Sequence, residues 1–420
     1  MDYTKDSINT SEKPLKPRRI LRPLEGLISK MLIGKNGGKI IKHNCENLKP
    51  PYLLLSTHGS LIDFAMAFRA ISPYDSNWLI SIEEFFGKNM LLRKAGGIYK
   101  RKFTNDFIVV KHILTVLTKN RNIMTIYPEA RFSLAGITEQ VDGALGKLAK
   151  LAAVPVVVFN LKGNFLSSPQ WNKKPIRRVP VSGDFTQIVT QADTLTLSAE
   201  EIQKKIENAL VYDEYKWQYD NKIKIESEYR AHNIHRILYQ CPHCKKEFSM
   251  KSEKTKIWCE ACGKSWIMDE YGRFSAEEGE TEFPHVPDWY RWERENVNEE
   301  VNSGNYKFED TARIEMLYSV NTKDGYKVMG NVDFSHDYNG FTVKGVLDDG
   351  SEFYLNRDSL SMMSCHIEYD FHERGDALEL CTNKATYFVF PLYKKNVLTK
   401  IHFAAEALHK RELEIKRNEK

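Results

Sequence analysis

The chain has 420 residues, 42% hydrophobic and 28% charged, with a formal net charge of +5. That mixture excludes a disordered chain, and the length suits two or three domains. No run of about 18 uncharged apolar residues occurs and the N-terminus lacks the apolar stretch of a signal peptide, so a cytoplasmic protein without a transmembrane helix is expected.

Residues 1–19 read as a flexible N-terminus. From Lys13 to Lys42 there are nine Lys or Arg against a single acid, Glu25. Leu21, Leu24, Leu27, Ile28, Met31 and Leu32 recur there at helical spacing, which predicts a basic amphipathic helix. Such a helix can lie on an anionic membrane surface or dock its stripe on the protein's own core.

From about residue 50 to 185, short apolar runs ("YLLLST", "NWLISI", "NIMTIYPE", "VPVVVFNL") alternate with helical patterns, which predicts a largely parallel or mixed sheet covered on both faces. "LLLSTHGSLIDF", residues 53–64, sets His58 at the end of an apolar run and Asp63 five positions on. Inside one helix the two would lie about 140° apart. They can meet only if His58 sits in the loop after a strand and Asp63 in the first turn of the next helix, a geometry that Gly59 and Ser60 favour. Ser60 to Asp63 is also a capping-box pattern, in which Asp63 simply caps the helix.

"GGIYKRKF", residues 96–103, places two glycines and then three cations after an apolar helix, a turn able to approach and neutralise a phosphate. "IYPEARFS", residues 126–133, ends a strand with Pro128, Glu129 and Arg131, and "VPVVVFNLKG" follows. Four blocks in this order resemble the glycerolipid acyltransferase family, whose best-known members are the 1-acylglycerol-3-phosphate acyltransferases; the resemblance covers roughly residues 20–215. It implies that His58 is a general base oriented by Asp63. The acyl chain would pass from acyl-CoA or acyl-carrier protein to a lysophospholipid hydroxyl, with 1-acyl-glycerol-3-phosphate as the first acceptor to consider. Arg101, Lys102, Glu129 and Arg131 would shape the acceptor site. Where the family commonly reads Phe-Pro-Glu-Gly-Thr-Arg-Ser, this chain has Ala130 for the glycine, and Arg131 stands one position early with Phe132 in the arginine's place.

From about 195 to 238 the pattern is helical and charged and reads as a connection with a lid role open to it. Then "CPHC", fourteen residues and "CEAC" supply Cys241, Cys244, Cys259 and Cys262, two knuckles that predict one structural tetrahedral zinc in a ribbon. His243, between the first two cysteines, reads as a residue beside the metal's ligands or exposed to solvent, not as a fifth ligand. "DWYRWER", residues 288–294, reads as a packing element or a membrane-interface run. Residues 307–391 hold about seven short strands separated by turn signals, and a strong helical tail follows. That order resembles a pleckstrin-homology or GRAM-like barrel. In "SCHIEYDF", alternation predicts His366, Glu368 and Asp370 on an exposed face.

The expected organisation is an α/β acyltransferase domain with its amphipathic helix (20–215), a helical connector (216–238), a four-cysteine zinc ribbon (239–275), an aromatic linker (276–305) and a mainly antiparallel β barrel with one C-terminal helix (306–417). The protein would sit peripherally on an anionic membrane surface. A non-catalytic zinc-ribbon adaptor binding nucleic acid, protein or membrane is the competing reading. Acids interleaved among the ribbon's lysines leave no long basic stripe, so nucleic acid is not expected.

Overall fold

The computed structural model describes residues 9–34, 37–174, 177–320 and 325–419. The first sheet comprises β1 (Gly37–His43), β2 (Leu53–Ser56), β3 (Ser76–Ser81), β4 (Gly97–Lys100), β5 (Ile123–Ile126), β6 (Val156–Lys162) and β7 (Val181–Val189), in the order β1-β7-β6-β2-β5-β3-β4. Every neighbouring pair is parallel except β6 with β7. The central strands are apolar on both sides because both sides are covered. Leu53, Leu55, Val156 and Val158 face the helices Phe107–Leu114, Leu145–Ala152 and Ala199–Ala209, while Leu54, Val157 and Phe159 face Ile62–Ile71. The mixed, two-sided sheet expected from the sequence is therefore observed.

Adjacent β2 and β5 send their connections in opposite directions. The chain leaving β2 crosses β5 by way of Ile62–Ile71 to reach β3, and the chain leaving β5 crosses β2 by way of Leu145–Ala152 to reach β6. Such a switch opens a crevice at the C-terminal ends of the two strands, where ligands of open α/β sheets bind.

The second sheet, β8 (Met250–Glu253), β9 (Lys256–Cys259), β10 (Ser265–Met268) and β11 (Phe274–Ala276), is a four-stranded antiparallel ribbon. The third contains β12 (Phe308–Leu317), β13 (Tyr326–Asp337), β14 (Gly340–Val346), β15 (Glu352–Arg357), β16 (His366–Glu368), β17 (Ala377–Cys381) and β18 (Thr386–Pro391). Its order, β15-β14-β13-β12-β18-β17-β16, is antiparallel and makes the first and last strands neighbours. The seven strands and the following helix, Leu398–Asn418, match expectation. Barrel closure does not, because among the described residues the hydrogen-bonded order ends at β15 and β16.

Three local expectations are corrected. Residues 221–238 are not a helix: beyond Glu214–Asp220 only the single turn Ile234–Arg236 forms. Ala231 donates to the Lys254 carbonyl there and Arg230 to those of Met268 and Asp269, so contacts with the ribbon override helical propensity. Residues 286–302 are no linker but a helix whose Trp289 and Tyr290 are fully buried. In β16, His366 faces inward and is buried, and Glu368 pairs with it at 2.8 Å.

One continuous core joins Phe165 and Trp171 of the first unit, Trp266 of the ribbon, Trp289 of the long helix and Ile314, Phe403 and Leu408 of the C-terminal unit. The amphipathic helix Arg22–Ile33 is present. It buries Ile33 and Ser29, whose hydroxyl donates to the Ala65 carbonyl, yet leaves Leu27 56% and Met31 72% exposed. No helix among the described residues is long and apolar enough to cross a membrane.

Candidate active site and candidate metal centre

His58 stands two residues beyond β2, in the loop at the switch point, and Asp63 lies in the first turn of Ile62–Ile71. Their side chains meet, with His58 Nδ1 2.8 Å from Asp63 Oδ2. The same carboxylate oxygen accepts the Gly59 and Ser60 backbone N–H groups at 2.7 and 3.1 Å, and Oδ1 accepts the Asn164 amide at 2.6 Å. A carboxyl group taking three N–H donors is an acceptor toward the fourth partner too, so in the neutral imidazole Nδ1 carries the proton and Nε2 the lone pair. Asp63 thus accepts the Ser60 N–H just ahead of the helix and is the histidine's partner as well. Its side chain is fully buried, whereas that of His58 is 21% exposed.

The ring is held from the β5 side. Tyr127 stacks on it at 4.1 Å and 20°, Phe132 lies 4.3 Å away at 46°, and the Ser133 N–H donates to the His58 carbonyl at 2.8 Å. From the β6 side come Asn164 and Phe165. A Cβ on Gly59 would stand 2.7 Å from the Asn164 amide and 2.8 Å from the Phe165 backbone nitrogen, so glycine is what lets the two loops close. The turn before Asn164 is held by Glu214, which accepts the Gly163 N–H; burial pushes its carboxyl up to about 8. Sequence reasoning does not single out Asn164 or Glu214. Their signal is weak: a polar residue just after the buried "VVVFNLKG" run, and an acid in a helix that reads as a mere connector.

The remaining expected site residues are placed otherwise. Arg101 donates to the Asn383 and Lys384 carbonyls at 3.1 Å each. Lys102 pairs with Glu83 and, at 2.9 Å, with Glu379. Arg131 reaches Glu406 at 2.8 Å and Ser364 Oγ at 2.6 Å, with Glu139 at 3.4 Å. All three cations therefore turn to partners inside the protein, on or beside the C-terminal β unit, and do not gather at His58 as expected acceptor ligands would. Glu129 is buried beside Tyr212, whose hydroxyl is 3.4 Å away; burial, then repulsion from Glu139, drives its carboxyl well above the usual range. Ala130 has φ 56°, the left-handed region that favours the glycine of the resembling pattern.

The Cys241, Cys244, Cys259 and Cys262 sulfurs all lie within 4.8 Å of one another. Cys241 to Cys262 and Cys244 to Cys259 are 3.8 Å apart, the edge of a tetrahedron with Zn–S bonds of about 2.3 Å being about 3.8 Å. The knuckles repeat one turn. Lys245 N donates to the Cys241 carbonyl and Gly263 N to that of Cys259, each donor with positive φ. Four thiolates fit a closed zinc shell. His243 stays outside it, 3.4 Å from Glu282.

No protein-family model matches the chain, and no curated protein sequence matches it. Among solved structures, one similar chain is the crystal structure of the 1-acyl-sn-glycerophosphate (LPA) acyltransferase, PlsC, from Thermotoga maritima. The likeness covers 46% of this chain and 76% of that one at 18% identity, with a TM-score of 0.37.

Proposed function

We propose that the protein is an acyltransferase that moves an acyl chain from a thioester, acyl-CoA or acyl-carrier protein, to a lipid hydroxyl. The observation that carries this is Asp63 accepting four hydrogen bonds, one from His58 Nδ1, while the His58 side chain stays 21% exposed at the end of β2. His58 Nε2 takes the acceptor's O–H proton as that oxygen attacks the thioester carbonyl. The new C–O bond forms, the C–S bond breaks, and the imidazolium returns the proton to the departing thiolate. Asp63 fixes the tautomer and stabilises the imidazolium.

Zinc is structural in this reading, and the C-terminal unit is a pleckstrin-homology or GRAM-like module by its strand number, strand order and terminal helix. The enzyme works peripherally at a membrane on the cytoplasmic side, with Leu27, Met31 and the neighbouring cations of the first helix toward anionic lipid. The adaptor reading is weaker because ribbon lysines face internal partners: Lys264 pairs with Glu282, Lys256 with Glu277, and Lys245 lies over Trp292.

A mass-resolved transfer assay on zinc-loaded protein, offering both donors against a panel of hydroxyl lipids, tests the reading. Wild type should yield product, and His58→Ala should lose about 10²- to 10⁴-fold in rate while keeping fold and zinc. Product formed equally by His58→Ala, or by neither protein, sinks it.

A further inference from the structure

We propose, resting on the acyl-transfer reading, that the acceptor is an uncharged hydroxyl lipid such as a monoacylglycerol, and not a lysolipid bearing a phosphate monoester. A phosphate dianion needs cations or free N–H donors beside the attacking hydroxyl. Most of those groups are committed elsewhere, and the unpartnered Nε of Arg101 and of Arg131 are both buried. The helix N-terminus behind His58 gives its leading N–H groups to Asp63 and Ser60: Gly59 N and Ser60 N reach the carboxylate, and Ile62 N reaches Ser60 Oγ. Of the three consecutive cations that begin at the last residue of β4, Lys100 donates to Thr104, Arg101 to two carbonyls and Lys102 to Glu83 and Glu379.

The loop after β5 argues the same way. Phe132 lays an apolar ring 4.3 Å from the His58 ring. Arg131, one residue earlier, has a side chain only 2% exposed and is committed to Glu406, Glu139 and Ser364. Recruiting it to a phosphate would leave two buried carboxylates short of a partner. Tyr127 and Phe132 therefore present His58 with an aromatic wall, which suits a glycerol carbon skeleton and repels a dianion through loss of its hydration.

The test compares 1-oleoylglycerol with 1-oleoylglycerol-3-phosphate at equal mole fraction in neutral mixed micelles, with palmitoyl-CoA and acyl-carrier-protein donors and the full zinc-loaded chain. The expected result is kcat/KM at least tenfold higher for the phosphate-free acceptor. A preference for the phosphorylated acceptor overturns the proposal. Binding of hexanoylglycerol and hexanoylglycerol-3-phosphate to His58→Ala, followed by NMR, decides the headgroup independently of turnover. Affinity for the neutral compound equal to or above that for the phosphate supports it, and tighter binding of the phosphate, or binding of neither, overturns it. If wild type acylates nothing, the acyl-transfer reading fails on its own account, and the binding arm still reports the headgroup.

Discussion

Two regions joined by the loop after β5 use histidine and acid in opposite ways. In the crevice, His58 and Asp63 form a pair whose carboxylate takes four donors and whose imidazole stays partly exposed. In the seam beneath the C-terminal unit, His402 and Glu406 also stand near one another, at 3.5 Å, but both are buried and Glu406 is already held by Arg131 and Arg294. Despite burial, its histidine neighbour and those guanidinium groups hold the Glu406 carboxyl well below the usual carboxylate range. An imidazole beside a carboxylate is thus not a reactive pair in itself. Reactivity needs one nitrogen fixed and the other exposed, whereas the seam buries its pair beside two guanidinium groups and so serves to lock two units together.

The broadest way to break this arrangement is to deny the four cysteines the zinc their geometry fits, because Cys241 and Cys259 sit in the same core as Trp171 and Phe403. Structural zinc in small ribbons is worth about 10 kcal/mol of folding energy. Chelation, or Cys259→Ser, should therefore collapse more than the ribbon. Near-ultraviolet circular dichroism ought to fall across the whole chain; loss confined to the ribbon signal would show that the shared core does not depend on it.

Asp63→Asn attacks the crevice alone. Either amide orientation sets N–H against N–H. With the oxygen at the Oδ2 place the new NH2 opposes the Asn164 amide, and with the nitrogen there it opposes Gly59 and Ser60 and drives the imidazole proton to Nε2. Both lose the carboxylate charge that favours the imidazolium. Transfer should drop by about 10²- to 10⁴-fold, the usual range for general-base assistance, with acceptor KM little changed. A KM effect without a kcat effect would contradict the assigned role. In the seam, Arg131→Met should instead cost about 3–5 kcal/mol in urea unfolding, the penalty for stranding buried carboxylates, and adding Glu406→Gln should recover part of that loss.

Glu214 sharpens the contrast through pH. Its carboxyl ordinarily titrates near 4.5 and is pushed up to about 8 in the fold by burial. Between those values the folded state holds a proton that the unfolded chain has released, so this group's contribution to stability falls as pH rises from about 4.5 to 8 and is constant outside that window. Glu214→Gln should flatten the decline between about pH 5 and 8, measured as urea midpoints. An unchanged slope would mean the carboxyl is ionised throughout.

Much of the first unit is legible in the sequence because its strands are continuous apolar runs and its turns are marked by Gly and Pro. The four cysteines are legible because metal geometry restricts spacing so tightly. Long-range pairing is not. Nothing local in "KRKF" or "PEARFS" says that Lys102 will find Glu379 or Arg131 will find Glu406, 277 and 275 residues away. The seam is formed by tertiary packing, and the sequence shows only cations that would suit either a phosphate or a carboxylate. Likewise "IESEYRAHNIHRIL" has helical spacing, but its apolar residues are buried against the ribbon without forming a helix.

The loop after β5 joins the two regions, and Ala130 is its strained link. At φ 56° its Cβ crowds the following carbonyl, a cost of about 1–2 kcal/mol for a residue other than glycine. Glycine there would relieve that strain while adding some freedom to the unfolded chain, about 0.5–1 kcal/mol in the other direction. Ala130→Gly should accordingly stabilise by a net of about 1 kcal/mol or less, seen as a higher urea midpoint at unchanged slope. Destabilisation would mean the methyl group contributes packing between Glu129 and Arg131 that outweighs the backbone term. The loop's shape would then be set from the seam side, and the crevice would inherit the position of Phe132 from the docking of the C-terminal unit.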